Sequence, residues 1–166
     1  NTGFREELEK RLLGATANIN LLRTSKDGIV HYDELAERLA RVPHVTASAP
    51  TIYEQVLVSS RSRAQGVVLK GIDPQREVRV GGLLSRLREG SIDGLSQTYV
   101  SADPIIIGTE LAKSLGAFVG DTIMVTSPQG NVTPFGVVPK FRHFRVVGVV
   151  DSGFYDFDAT WAFTTL

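Results

Sequence analysis

The chain has 166 residues, 42% of them hydrophobic, with 18 basic against 18 acidic side chains and no cysteine. That is enough apolar material to bury the core of one domain or two small ones, and the balanced charge leaves no basic face to hold phosphates, which excludes nucleic acid as a partner. Disulfide and thiolate chemistry are excluded as well, and the longest apolar runs, such as Pro104–Ile107 and Val146–Val150, fall far short of a membrane span.

Phe4, Leu8 and Leu12 recur at helical spacing ahead of Gly14, which predicts an amphipathic helix capped by Thr2. Ala15–Arg23 then alternates Ala17, Ile19 and Leu21 with Thr16, Asn18 and Asn20, the period of a half-buried strand, and Ser25–Gly28 turns the chain. His31–Val42 returns to the helical period through Leu35 and Leu39. The stretch from Val45 to Asp73 predicts two or three strands, so the first part of the chain reads as a β-α-β element. Val80–Gly90 is a short helix candidate weakened by its glycines, and Ser91–Pro104 is a polar joint. The second half changes character: an apolar strand over Pro104–Ile107, a helix over Thr109–Leu115 stopped by Gly116, a tight turn at Val119-Gly120-Asp121, and an alternating strand over Thr122–Thr126. ATWAFTTL at the carboxyl end reads as a further strand. The chain starts at Asn1 without methionine or signal peptide and stops inside that apolar run, so both ends are read as cut, with the last strand returning to a larger subdomain and leaving an open or copy-paired edge.

Ser127–Lys140 is the segment that the periodic pattern does not absorb. Hairpin loops usually run about 2–5 residues, and a longer connection without structure of its own tends to bind something. Pro128, Pro134 and Pro139 fix the backbone while Gly130 and Gly136 permit bends, predicting a semi-rigid arm. Phe135, Val137 and Val138 give that arm an apolar tip, and exposed apolar clusters mark contact sites.

Recognisable chemistry is sparse. No GxxxxGK[ST] loop is present, and no GxGxxG follows a strand, so nucleotide binding lacks its glycines and no cofactor is implied. His31, His44 and His143 are isolated, which does not suit zinc. Gly94-Leu95-Ser96-Gln97-Thr98 lacks the closing glycine of a nucleophile elbow. The acidic neighbours Glu6/Glu7 and Asp156/Asp158 read as solvated faces rather than acid–base pairs. Asn131-Val132-Thr133 matches a glycosylation triplet that nothing else in the chain supports.

Three segments together resemble a known family. NTGFREELEKRLLGATANINLL is similar to the stretch that follows the first membrane helix of the lipoprotein-releasing permeases, the LolC/LolE family of the Lol ABC transporter. PIIIGTELAKSLGAFVGDTIMV with FRVVGVVDSGFYDFDATWAF resembles the smaller β-rich subdomain shared by the wider MacB-like superfamily. TPFGVVP, Thr133–Pro139, resembles the protruding hook of the LolC-type subunit. The resemblance implies an α+β periplasmic domain of an inner-membrane protein. Residues 1–100 would hold the first part of a larger porter-like α/β subdomain with its β-α-β element, plus the joint. Residues 101–150 would form the smaller β-rich subdomain with the hook at 127–140, and residues 151–166 a return strand.

The resemblance further implies a non-catalytic role: the hook docks LolA, a periplasmic chaperone that receives the lipoprotein, while a partner permease subunit and a cytoplasmic ATPase complete the transporter. Carried over residue by residue, Pro134, Gly136 and Pro139 match the hook's frame. Phe135 takes the tip, flanked by Thr133, Val137 and Val138, and Arg142, with Lys140 beside it, matches a basic platform. This chain departs from the pattern in placing Phe135 where the family tip is methionine, and Met124 and Phe141 where polar or basic platform residues are expected; strand context predicts that both face the core of the hairpin. An efflux-type permease domain shares the subdomains but lacks a proline-framed hook, and a periplasmic enzyme would need a pocket of convergent polar groups.

Overall fold

A computed structural model of the chain describes residues 19–23, 29–80, 82 and 86–166. The helix predicted over Phe4–Gly14, the beginning of the Ala15–Arg23 strand and the whole Ser25–Gly28 turn lie outside these residues. The part of that strand that is described, Ile19–Arg23, is exposed and has no regular structure. The first helix among the described residues, α1 (Tyr32–Ala40), is the one its leucine spacing predicts.

β1 (Thr51–Ser60) and β2 (Arg63–Ile72) pair along their whole length across the Arg61-Ser62 turn. A helix α2 (Pro74–Val80) follows, then β3 (Leu87–Gly90) and a 3₁₀ turn at Ile92–Ser96. Of the helix expected over Val80–Gly90, residues 81 and 83–85 lie outside the described residues and the end is corrected: Leu87–Gly90 is strand, paired with the last strand segment before Asp151, while α2, opened by Pro74, whose missing N–H suits a first turn, ends at Val80. Beyond this come β4 (Asp103–Gly108), α3 (Thr109–Leu115) ending at left-handed Gly116, β5 (Thr122–Thr133), β6 (Gly136–Val150), α4 (Tyr155–Thr160) and β7 (Trp161–Thr165).

Six strands close on themselves in the order β6-β4-β7-β2-β1-β5 and back to β6, with β3 added along the far end of β6. Pairing is mixed, parallel at β2–β7 and β4–β6 and antiparallel elsewhere. The ring forms because its strands are apolar on the inward face. Val56 and Val58, Val67 and Leu69, Ile105 and Ile107, Ile123 and Val125, Phe144 and Val146, and Ala162 meet inside it, with Leu111 and Leu115 of α3 packed into the same cluster. β4 is buried on both faces, as an unbroken apolar run requires. Ile106 points outward into a second core with Ile72, Leu95, Val147, Val150 and Phe163.

Three expectations are corrected by this topology. The boundary at residue 100 falls inside one sheet, since β1 and β2 share the ring with β4–β7. The carboxyl-terminal strand does return to the first part of the chain, parallel to β2, but not with the open or copy-paired edge expected: β4 pairs along its other side, with Ala162 in the inner core and Phe163 in the outer one. The polar joint is a packed cover, with Ser91 Oγ capping its 3₁₀ turn at Asp93 N–H and Leu95 buried against the second core.

Among the described residues, three charged side chains are buried outside the ring core: Lys70, Glu77 and Asp158. Lys70 Nζ lies 2.6 Å from Glu77 Oε1 of α2 and 5.7 Å from the centre of the Tyr53 ring. Asp158, expected on a solvated face, is buried, and both its carboxylate oxygens accept the Ser152 N–H. Burial pushes its pKa up from the ordinary aspartate value, opposed by the Ser152 hydrogen bonds.

Candidate functional site

The ring positions a hairpin arm. β1 follows β5 only through Leu57↔Thr126, and β4 joins β6 only from Asp103↔Phe144. Beyond those pairs, among the described residues, β5 and β6 pair only with each other. Their ladder runs from Thr122↔Arg145 to Ser127↔Lys140, breaks, and resumes from Asn131↔Val138 to Thr133↔Gly136. The connection predicted as a long loop is thus strand almost to its tip.

The prolines explain how strand and proline coexist. Pro128 and Pro139 both fall in the interrupted stretch, where Pro128–Gly130 oppose Pro139 alone and no ladder N–H is demanded of either proline. Gly130 is there because the partner strand comes too close for a side chain: a Cβ would lie 1.6 Å from the Val138 carbonyl oxygen. Pro134 and Phe135 form the turn. Thr133 Oγ1 accepts the Phe135 N–H at 3.2 Å and donates to the Gly136 carbonyl at 2.8 Å, and Gly136 re-enters the ladder at φ 118°.

This frame leaves Phe135 wholly exposed, at 100% of its accessible surface. Val132, 84% exposed, is paired across the ladder with exposed Val137, and Val138 is exposed beside them. Val132 was missed at the sequence level, where its triplet suggested only glycosylation; the apolar residue between Asn131 and Thr133 was the available signal. Thr133 is half-buried by its turn bonds, while Pro134, Gly136 and Pro139 are exposed.

Lys140 and Arg142 stand at the arm's root, opposite Ser127 and Val125. They share the strand face of Phe144, just past the point where that face turns into the ring. Arg142 Nε lies 3.3 Å from Asp103 Oδ2 with both groups largely in solvent. Ser127 Oγ hydrogen-bonds Glu54 Oε1, tying the root to β1. Phe141 does not face the hairpin core as expected: paired with Thr126, it lies on the opposite face to Arg142 and is 63% exposed, with Met124 partly buried on that same outer face. Among the described residues no three histidine, aspartate or glutamate side chains converge on a metal-sized space. The arrangement offers an apolar tip and a basic root, which suits binding to an apolar groove with a polar rim.

Residues 2–166 match the family model of the MacB-like periplasmic core domain. The chain is 33% identical over 158 residues to the lipoprotein-releasing system transmembrane protein LolC of Xylella fastidiosa, covering 95% of this chain and 37% of that protein. It is 38% identical over 120 residues to LolC of Neisseria meningitidis serogroup B, covering 72% of this chain and 28% of that one. The chain therefore spans about a third of the length of these relatives. In fold it is similar to the periplasmic region of MacB from Actinobacillus actinomycetemcomitans, with a TM-score of 0.51 at 18% identity, covering 89% of this chain and 56% of that one. The extracellular domain of the noncanonic ABC-type transporter YknZ from Gram-positive bacteria gives a TM-score of 0.52 at 14% identity, covering 80% of this chain and 61% of that one. With its ring of strands and its whole described length inside the matched region, the chain belongs to the family of MacB-like periplasmic core domains.

Proposed function

We propose that this chain is the periplasmic domain of an inner-membrane ABC transporter permease that releases lipoproteins, and that its arm docks a LolA-like periplasmic lipoprotein chaperone. The observation that carries this reading is the complete exposure of Phe135 on an arm whose strands are rooted in a buried core. An apolar side chain held out by proline, glycine and a threonine-bonded turn has little ordering entropy left to lose on binding. Phe135 enters the chaperone's apolar groove, Val132, Val137 and Val138 extend the contact, and Lys140 and Arg142 meet its polar rim. The similarity to LolC supports lipoprotein release rather than another transport task. The domain itself is non-catalytic; ATP hydrolysis belongs to a cytoplasmic subunit, and a partner permease subunit completes the transporter.

Calorimetric titration of the chain with a LolA-type chaperone tests this directly. Burying a phenylalanine removes enough apolar area that Phe135→Ala weakens binding about tenfold or more. The melting temperature moves by no more than about a degree or two, since a wholly exposed side chain contributes little to the fold. Unchanged affinity, or a large loss of stability, overturns the proposal.

A further inference from the structure

A cleft of about 360 Å³ opens beside β6 at Arg145–Val147. One wall is the 3₁₀ turn with its flanks, and another is the Val119-Gly120 turn ahead of β5. Main-chain hydrogen bonds fasten both to β6: Ser91 N–H donates to the Val147 carbonyl at 3.2 Å, and Gly120 N–H to the Val146 carbonyl at 2.7 Å. Gly94 brings its turn so close that a Cβ there would lie 2.8 Å from the Cβ of Val147. The shape of the cleft is thus set by backbone, and a ligand entering it finds the walls already in place.

Two opposite charges line this space. The Arg145 guanidinium carbon lies 5.1 Å from the centre of the Tyr99 ring, and the Tyr99 hydroxyl is itself held, donating to the Gly94 carbonyl at 3.2 Å or to Gln97 Oε1 at 3.3 Å. Contact with the ring positions the guanidinium without occupying its N–H donors, which no carboxylate engages among the described residues. Asp93 lines the same cleft from the 3₁₀ turn, where its N–H donates to Ser91 Oγ while its carboxylate has no partner among the described residues. The two side chains share one small space without closing an ion pair, one placed by a strand and the other by a turn bonded to that strand.

We infer that this cleft binds a small zwitterion, its anionic oxygens on Arg145 and its ammonium on Asp93. The fork of a guanidinium matches the paired oxygens of a carboxylate or phosphate. A plain anion meets repulsion from Asp93 and a plain cation from Arg145, whereas a ligand carrying both charges satisfies both walls. The volume suits a small molecule, and Val119 and Val147 give an aliphatic portion something to lie against. Two sources share this chemistry, a free α-amino acid and the phosphoethanolamine headgroup of a lipid. The inference is independent of the role proposed for the arm.

L-Valine and glycerophosphoethanolamine are the two probes, each titrated into the isotope-labelled chain and followed by NMR at the Gly94 and Gly120 amides. Saturable shifts are expected with at least one, and the tighter of the two identifies the source. Acetylating the amine of that probe removes its ammonium and weakens binding about tenfold or more, as does Arg145→Gln. Asp93→Asn abolishes the preference for the free amine over the acetylated form. Both side chains are exposed, so the melting temperature is preserved in each variant. Phe135→Ala leaves the titration unchanged. The inference fails if neither probe saturates, if the acetylated form binds as tightly as the free amine, or if folded Arg145→Gln keeps its affinity. Should Arg145→Gln not fold, the acetylated probe on the unsubstituted chain still decides.

Discussion

The ring and the arm share two strands, β5 and β6, yet those strands bury their apolar residues in one region and expose them in the other. From Val146 to Val150 β6 is buried at every position, while from Gly136 to His143 it is exposed at every position. No hinge separates the two stretches: β6 is one continuous strand, paired with β5 from Gly136 to Arg145 except opposite Pro128–Gly130, and with β4 from Phe144 to Val150. A packed core can thus hold an exposed tip in place through strand continuity alone. The buried core lies in the ring, and if the arm makes the contact proposed for it, substitutions in the two regions should separate into two classes.

The largest effect is expected at the ring's outer face. Lys70→Met leaves Glu77 buried without its partner, which costs about 3–5 kcal/mol. Converting Glu77 to leucine in the same chain should recover most of that loss, which urea unfolding of the single and double variants would reveal. Leu111→Ala opens a cavity where α3 enters the ring core and is expected to cost about 2–5 kcal/mol. Both variants should bind the chaperone normally once folded, the mirror image of Phe135→Ala. If either lowers affinity while the fold is intact, the separation of ring from arm is wrong.

How much of this division was legible in the sequence depends on the range over which each signal acts. α1, α3 and the central part of β4 were readable because leucine spacing, Gly116 and the Ile105–Ile107 run are local. The tip was readable too, since proline and glycine constrain their own backbone. The closure of the ring was not: whether β7 enters between β2 and β4 depends on which face Ala162 and Phe163 find, a long-range choice that no window of sequence contains. The same holds for Phe141, whose face is set by register with Thr126; Lys70 and Glu77 are only seven residues apart, but their pairing depends on where the strand gives way to the helix. The prolines misled in one respect, by suggesting a loop where a ladder irregularity houses them.

Gly130→Ala sharpens the comparison at its boundary. A methyl group set against the Val138 carbonyl forces the two strands apart or shifts their register, and a single exposed irregularity should cost about 1–2 kcal/mol, less than a ring substitution. The tip then points elsewhere, so chaperone affinity should fall even though Phe135 is untouched. Normal affinity would mean that the arm's aim is not set by this crossing.

Asp158 gives the ring a pH dependence that the arm should lack. Its pKa in the folded state lies above the ordinary aspartate value because burial disfavours the carboxylate. The folded chain therefore takes up the proton more readily than the unfolded one. The associated stability is fully present below the unfolded aspartate pKa of about 3.9 and is lost as pH rises through the raised value. Asp158→Asn removes this dependence, so its stability relative to the unsubstituted chain should be greatest at neutral pH and shrink as pH falls toward 4. A gap between the two melting curves that stays constant with pH would contradict the assignment.

The smallest effect on the fold is expected where the comparison is most demanding, at the arm's root. Arg142 and Asp103 form an ion pair with both side chains largely in solvent, so screening and side-chain entropy cancel most of its attraction. Arg142→Ala should change unfolding free energy by no more than about 0.5 kcal/mol. If the basic root meets the chaperone's rim as proposed, the same substitution should slow association more than it speeds dissociation, and the difference should fade as salt is raised, the behaviour of a rim charge. Stopped-flow binding at two ionic strengths separates the cases: an association rate insensitive to both the substitution and the salt would remove Arg142 from the docking surface and leave the apolar tip to act alone.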